Sequence, residues 1–195
     1  MIIDLEGIAN KLTVALYKDS PLGEVEKAKI EYGFSLTLGI GIALTLALIL
    51  GALLGAFFYT LLLILSALGL RLFSGGAHCS SYDRCLLFSL LVFVPAAVLV
   101  KFLALNLDPG ILMRVYFALF LLTVAGLLSK NIKAALWALA LNLVALAGSY
   151  LFRRAFVPWA MFSVSAGIFL QGLMLTKVGA WLVDKADRGM ETVGI

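Results

Sequence analysis

The chain has 195 residues, of which 63% are hydrophobic and only 13% are charged. A soluble domain carries about a quarter charged residues, so this composition excludes an ordinary soluble fold and predicts an all-α, polytopic membrane protein. The net charge is +4, but the lysines and arginines lie mostly between apolar runs, where membrane orientation explains them better than a nucleic-acid surface. We therefore expect a lipid bilayer as the environment and no nucleic-acid partner.

Residues 1–32 are expected to form a cytoplasmic amphipathic segment. Apolar residues recur there at helical spacing with lysines among the polar positions, which predicts an amphipathic interfacial helix on the membrane surface. The alternative is a solvated helix that packs on nothing. Pro21 predicts the start of a second short helix, and the charged residues of the segment exclude a cleavable signal peptide, so we expect the N-terminus to stay cytoplasmic. The apolar face comprises Ile8, Leu12, Ala15 and Leu16.

Residues 33–177 are expected to form a six-span transmembrane domain. Residues 33–70 carry no charged side chain, and as one helix they would be about 57 Å long, far more than a hydrocarbon core of about 30 Å. We therefore predict two spans with a tight turn near residues 51–57, although Gly51 and Gly55 also match a close helix-packing pattern. Further apolar runs occupy residues 85–105, 111–128, 134–151 and 156–176.

The placement of basic residues favours six spans with the N-terminus in the cytoplasm. This arrangement puts eleven of the fifteen lysines and arginines on the cytoplasmic side, as the positive-inside rule expects, whereas five spans divide them almost evenly. It predicts a multi-pass protein of the cell membrane, with residues 71–85 at the cytoplasmic surface and residues 178–195 as a cytoplasmic C-terminal tail.

The polar segment 71–85 is expected to carry the chemistry. His78 is the only histidine, and Cys79 and Cys85 are the only cysteines; an imidazole can take the proton of a thiol and so make it a nucleophile. In one continuous helix His78 and Cys85 would lie about 10.5 Å apart along the axis, too far for proton transfer, so the segment has to break or fold back. We predict His78 as the base and Cys85 as the nucleophile, with Cys79 as the competing thiol.

The neighbouring residues fit such a break. Two glycines supply backbone freedom before His78, and Ser81 or Asp83 is expected to cap a helix that begins near Cys85, whose thiol would then feel the positive helix end. Asp83 is also a candidate for orienting the imidazole, or a partner of Arg84. One histidine and two cysteines supply at most three metal ligands, so we expect no metal site and no cofactor.

The arrangement Arg71-x-x-x-Gly75-Gly76-x-His78, followed by six residues and Cys85, resembles the signature of the accessory gene regulator B family. These proteins are membrane cysteine endopeptidases that mature bacterial quorum-sensing propeptides. The charged segment before the first apolar run is also similar to that of the family.

The resemblance implies that Cys85 attacks a peptide carbonyl of a short amphipathic propeptide, with His78 as base. The product is an acyl-enzyme thioester, which a substrate thiol or hydroxyl displaces to close a thiolactone or lactone ring. Arg71 is expected to bind the acidic tail of the substrate or, alternatively, to anchor the end of a span. Gly75 and Gly76 are expected to let the substrate backbone approach closely. The resemblance also implies a homodimer.

The resemblance covers roughly residues 24–95, and the brief connection at residues 129–133 departs from the proline-containing, lysine-rich connection that family members often carry. This departure leaves the propeptide and its cyclisation open. The alternative function is a small non-catalytic membrane transporter or scaffold, with His78 as an ordinary loop residue. A transporter would be expected to carry charges at the middle of its spans, whereas only Lys101 and Arg114 intrude, both near span ends.

Overall fold

A computed structural model describes residues 5–17, 23–128, 132–151 and 157–193. These residues form eight α-helices and contain no strand, so the all-α prediction is confirmed. The helices are α1 (Leu5–Tyr17), α2 (Glu24–Leu53), α3 (Phe57–Ser74), α4 (Tyr82–Asn106), α5 (Pro109–Leu128), α6 (Ile132–Leu151), α7 (Val157–Met174) and α8 (Lys177–Thr192).

The long apolar helices fit a multi-pass membrane protein. Among the described residues, four helices are long and apolar enough to cross a membrane, namely α2, α3, α4 and α5. The number is five when α7 and α8 are counted together as one span bent by 79°. The six predicted spans coincide in position with α2 to α7, but the count of six and the orientation stay predictions.

The predicted turn near residues 51–57 is confirmed. One of its two glycines forms the turn, and the other allows close helix packing. Helix α2 ends at Leu53 and α3 begins at Phe57, and Gly55 lies between them with a φ of 65°, a conformation that favours glycine. Gly51 remains in α2, where a Cβ would collide with the side chain of Thr60 on α3. The turn and the close packing are therefore both present, within one helical hairpin.

The predicted second short helix is wrong as a separate element. Pro21 lies outside the described residues, and from Glu24 the chain forms one continuous helix of 30 residues. Glutamate, lysine and alanine at residues 24–29 are good helix formers, so the polar start simply continues into the apolar run. Helix α1 forms as predicted and packs against α2, whereas its place at a membrane surface stays a prediction.

Helix α7 is the centre of the bundle and packs against α3, α4, α5, α6 and α8. Its closest approach is to α3, where a Cβ on Gly167 would collide with the carbonyl of Leu63 and the hydroxyl of Ser66. Small residues at such a crossing let two backbones pack directly. The crossing places the C-terminal end of α7 beside the C-terminal end of α3, where the candidate catalytic segment begins.

We expect Gly167→Ala to lower the free energy of unfolding by about 1–3 kcal/mol, the usual cost of forcing extra volume into a packed interior. Thermal unfolding of the detergent-solubilised chain measures the change. Gly41→Ala is the matched control, because Gly41 is an exposed helical glycine of α2 with open space around its Cβ position. An equal loss of stability in both variants would contradict the close crossing.

Candidate active site

The loop formed by residues 75–81 separates α3 from α4 and carries the middle of the predicted catalytic segment. Helix α3 ends at Ser74, and Gly75 follows with a φ of 68°, which a residue with a Cβ rarely adopts. The N–H of Gly75 donates to the carbonyl of Arg71 at 2.9 Å and so closes the last turn. The predicted break between His78 and Cys85 is therefore confirmed.

Helix α4 restarts the regular structure and holds Cys85 in its first turns. Ser81 is the N-cap residue, and its hydroxyl accepts a hydrogen bond from the N–H of Arg84 at 3.4 Å. The N–H of Cys85 donates to the carbonyl of Ser81 at 3.1 Å, which is the first hydrogen bond of the helix. Of the two predicted caps, Ser81 is the one that caps the helix, and the thiol of Cys85 lies near the positive helix end.

Four of the predicted residues converge on one cavity. Arg71, His78, Cys79 and Cys85 all line one space of about 370 Å³ between α2, α3 and α4. The space continues along α2 past small residues at four-residue spacing, so it is a groove with polar groups at one end and apolar walls beyond. The small residues on this wall are Gly39, Ala43 and Ala47.

Arg71 contacts the candidate base directly. Its Nη2 lies 3.2 Å from Nδ1 and 3.3 Å from Nε2 of His78, and it donates to the carbonyl of Ala77 at 3.3 Å. Partial burial, followed by the charge of Arg71, lowers the pKa of His78 below its ordinary value of 6.5. The imidazole is therefore neutral at physiological pH, which is the form that accepts a proton.

The two thiols lie together, but their settings differ. Burial raises the pKa of Cys79 to about 12, with further contributions from Cys85, from the charge of Asp187 and from a hydrogen bond to Cys85 that favours the protonated form. Cys79 thus stays a thiol at neutral pH, and a protonated thiol is a poor nucleophile. This supports the preference for Cys85.

The two glycines of the loop are packed differently. Around Gly75 the Cβ position is open, whereas a Cβ on Gly76 would lie 3.1 Å from Nη1 of Arg71 and 3.3 Å from Nε2 of Gln171. Gln171, on α7 and only 1% exposed, also donates to the carbonyl of Gly75 at 3.0 Å. Gly76 therefore lets the loop lie directly on two polar side chains; contact of either glycine with a substrate stays a prediction.

Sequence reasoning missed two of the residues that hold this loop. Gln171 is an isolated polar residue in an apolar run, a pattern typical of any interhelical hydrogen bond. Asp187 belongs to the predicted C-terminal tail, which is in fact helix α8, and its Oδ2 accepts a hydrogen bond from the N–H of Ser80 at 3.1 Å. No local pattern links either residue to the loop.

Asp83, the candidate for orienting the imidazole, lies in the first turn of α4. Both ring nitrogens of His78 lie within 3.3 Å of Nη2 of Arg71, and the orienting role of Asp83 stays a prediction. Within the described residues, no group of three or more histidine, cysteine, aspartate or glutamate side chains could hold a metal ion.

Fold and site together define a class: a multi-pass, all-α membrane protein in which an imidazole and two thiols line a groove between the helices. The family model for accessory gene regulator B matches residues 9–158, so the chain belongs to this family, and the predicted resemblance is confirmed. No match was found among curated proteins or among solved structures. Family membership supports a protease role in the processing of a quorum-sensing propeptide.

We expect the imidazole of His78 to titrate with a midpoint below 6.5. Because this is the only histidine, NMR of untagged, ring-labelled protein in micelles reports it as a single resonance. In Arg71→Gln the midpoint should move upward, since removal of the positive guanidinium makes protonation easier. Arg114→Gln removes an exposed charge on α5 and should leave the midpoint unchanged. A wild-type midpoint at or above 6.5 would be incompatible with this site.

Proposed function

We propose that the protein is a membrane-embedded cysteine endopeptidase that processes a quorum-sensing propeptide through an acyl-enzyme thioester, followed by closure of a thiolactone or lactone ring. The observation that carries the proposal is that His78, Cys85 and Arg71 line a single groove. The alternative, a small transporter or scaffold, gives no reason for this convergence.

In the first half-reaction, neutral His78 accepts the proton of the Cys85 thiol, and the thiolate adds to the scissile carbonyl. The resulting tetrahedral oxyanion collapses as the carbon–nitrogen bond breaks, and the imidazolium gives its proton to the leaving amine. The N-terminal part of the propeptide is left on Cys85 as a thioester. The released C-terminal tail carries the new amino group.

In the second half-reaction, a thiol or hydroxyl of the bound propeptide attacks the thioester. His78 takes the proton of this nucleophile and returns it to the sulfur of Cys85 as the carbon–sulfur bond breaks. The ring closes without water, metal or cofactor, because the thioester already holds the acyl group in an activated form. Exchange between a thioester and a thiol is close to balanced and formation of a thioester from an amide is uphill, so departure of the released tail has to draw the reaction forward.

The groove supports a peptide substrate that enters from the same side as the loop. Its apolar walls suit apolar side chains next to the scissile bond, and its polar end suits the carbonyl and the charged tail. Arg71 is a cation at this end, and its planar guanidinium is suited to a carboxylate of the tail. The proposal includes a homodimer in the cell membrane with the N-terminus and the active site facing the cytoplasm.

We expect Cys85→Ala and His78→Gln to lower cleavage by about 10³-fold or more, as loss of a nucleophile or its base does in enzymes of this type. The assay is co-expression with candidate propeptides that carry an internal cysteine or serine and an acidic tail, followed by mass spectrometry of products and adducts. Cys79→Ala is the matched control and should retain cleavage within about tenfold. Cleavage retained by Cys85→Ala would disprove the assignment.

We also expect Ala43→Leu to raise the KM for the propeptide by roughly tenfold while kcat changes less. The added side chain occupies the groove beyond the reacting atoms, and a few methylene groups in an apolar subsite change binding by this order. Thr45→Leu is the control, because Thr45 lies on an exposed side of the same helix and does not line the groove. Equal effects of both substitutions would show that the groove is not the binding site.

A further inference from the structure

Helix α8 is anchored next to the candidate active site. It begins two residues after α7 and is turned by 79° from it, and the hydroxyl of Thr176 caps its start by accepting from the N–H of Gly179 at 3.2 Å. Gly179 and Val183 are buried, and α8 packs on α4 and α7. The C-terminal half of α8 therefore reaches the loop at a fixed position.

Three polar contacts join α8 to both sides of the active-site segment. Oδ2 of Asp187 accepts a hydrogen bond from the N–H of Ser80 at 3.1 Å, and Oδ1 lies 3.5 Å from Nη1 of Arg84. The same Nη1 donates to the hydroxyl of Ser80 at 2.9 Å and lies 3.8 Å from Oε2 of Glu191. Asp187, Ser80 and Arg84 thus form a closed set of contacts.

The two residues that Asp187 contacts lie between the two cysteines in the sequence. Ser80 directly follows Cys79, and Arg84 directly precedes Cys85. The side chains of Arg84 and Asp187 are each only 15% exposed, so this ion pair is less screened by water than a surface pair. A carboxylate that fixes Ser80 and Arg84 therefore also fixes the separation of the two sulfur-bearing residues.

We infer that Asp187 is a positioning residue of the active site, which holds the loop against the start of α4 and makes Cys85, rather than Cys79, the thiol that reacts. The inference that Asp187 affects catalysis rests on the proposed function. Its effect on the reactivity of the two thiols can be tested without a substrate. The family match ends at residue 158 and so assigns no role to α8.

The electrostatics of the loop agree with this role. The charged and titratable neighbours of Cys79 are Cys85 and Asp187, which oppose its ionisation, and Arg84, which favours it. Although desolvation acts to raise the pKa of Asp187, its hydrogen bonds with Ser80 and the charge of Arg84 hold it below the ordinary value. Asp187 is therefore ionised at neutral pH, and its negative charge adds to the burial that raises the pKa of Cys79.

The substrate-free experiment compares wild type with Asp187→Asn in the full, detergent-solubilised chain. A limiting amount of iodoacetamide is added between pH 6 and pH 10, and mass spectrometry of the digest quantifies alkylation of Cys79 and Cys85. Wild type should react mainly at Cys85. Asp187→Asn keeps an acceptor for Ser80 but removes the charge, so ionisation of Cys79 becomes easier and the Cys79 to Cys85 ratio should rise by about tenfold.

The matched control is Asp184→Asn on the same helix. Asp184 pairs with Arg188 at 3.1 Å on an exposed surface, where the two side chains are 57% and 76% exposed, and it should leave the alkylation ratio unchanged. An unchanged ratio in Asp187→Asn, or an equal shift in Asp184→Asn, would overturn the inference.

The positioning role has a second readout, which is cleavage of the propeptide by Asp187→Ala. This variant removes the acceptor as well as the charge, so kcat should fall by about tenfold or more with little change in KM, whereas a general loss of stability would lower the yield of folded protein instead. If Asp187→Ala does not fold, Asp187→Asn and Asp187→Glu carry the comparison, the latter because its carboxylate is displaced by one methylene group. Full kcat in all folded variants would contradict the positioning role. Failure of the proposed function would be seen separately, as cleavage retained by Cys85→Ala.

Discussion

The candidate site depends on side chains from distant helices that satisfy the backbone of an irregular loop. Residues 75–81 have no helix or sheet ladder of their own, and a backbone group shielded from water without a partner costs about 1–3 kcal/mol. Arg71 and Gln171 donate to loop carbonyls, and Asp187 accepts a loop N–H. These partners come from α3, α7 and α8, so the packing of three helices determines the shape of the loop.

The crossing of α3 and α7 at Gly167 therefore affects the geometry of the active-site loop, although Gly167 does not contact the loop. Gly167 and Gln171 are four residues apart on α7 and lie on the same face of the helix. The backbone contact at Gly167 fixes how far α7 slides along α3, and so how far Gln171 lies from the end of α3 at Ser74. A bulkier residue at Gly167 would separate the helices and draw the amide of Gln171 away from Gly75.

The sequence alone was sufficient for those features that depend on near neighbours. The length of the uncharged stretch at residues 33–70 predicted the turn at Gly55. The two glycines before His78 and the capping serine after it predicted the break in the helix, and His78 and Cys85 line one cavity. It was insufficient for Gln171 and Asp187, whose loop partners lie 96 and 107 residues away in the chain. Such pairs arise only when the bundle is assembled, and neither residue type is unusual where it stands.

The pairing of Arg71 with His78 has opposite effects on the two proton transfers of the proposed mechanism. Partial burial and, after it, the nearby guanidinium lower the pKa of the imidazole, which keeps the resting base neutral but makes it a weaker one. Once the imidazolium has formed, the same positive charge destabilises it and makes it a stronger acid. Expulsion of an amine requires such an acid, whereas thiols in general, with an ordinary pKa of about 8.5, need only a weak base. An arginine beside the histidine therefore favours the harder step, whether or not it also binds the tail of the substrate.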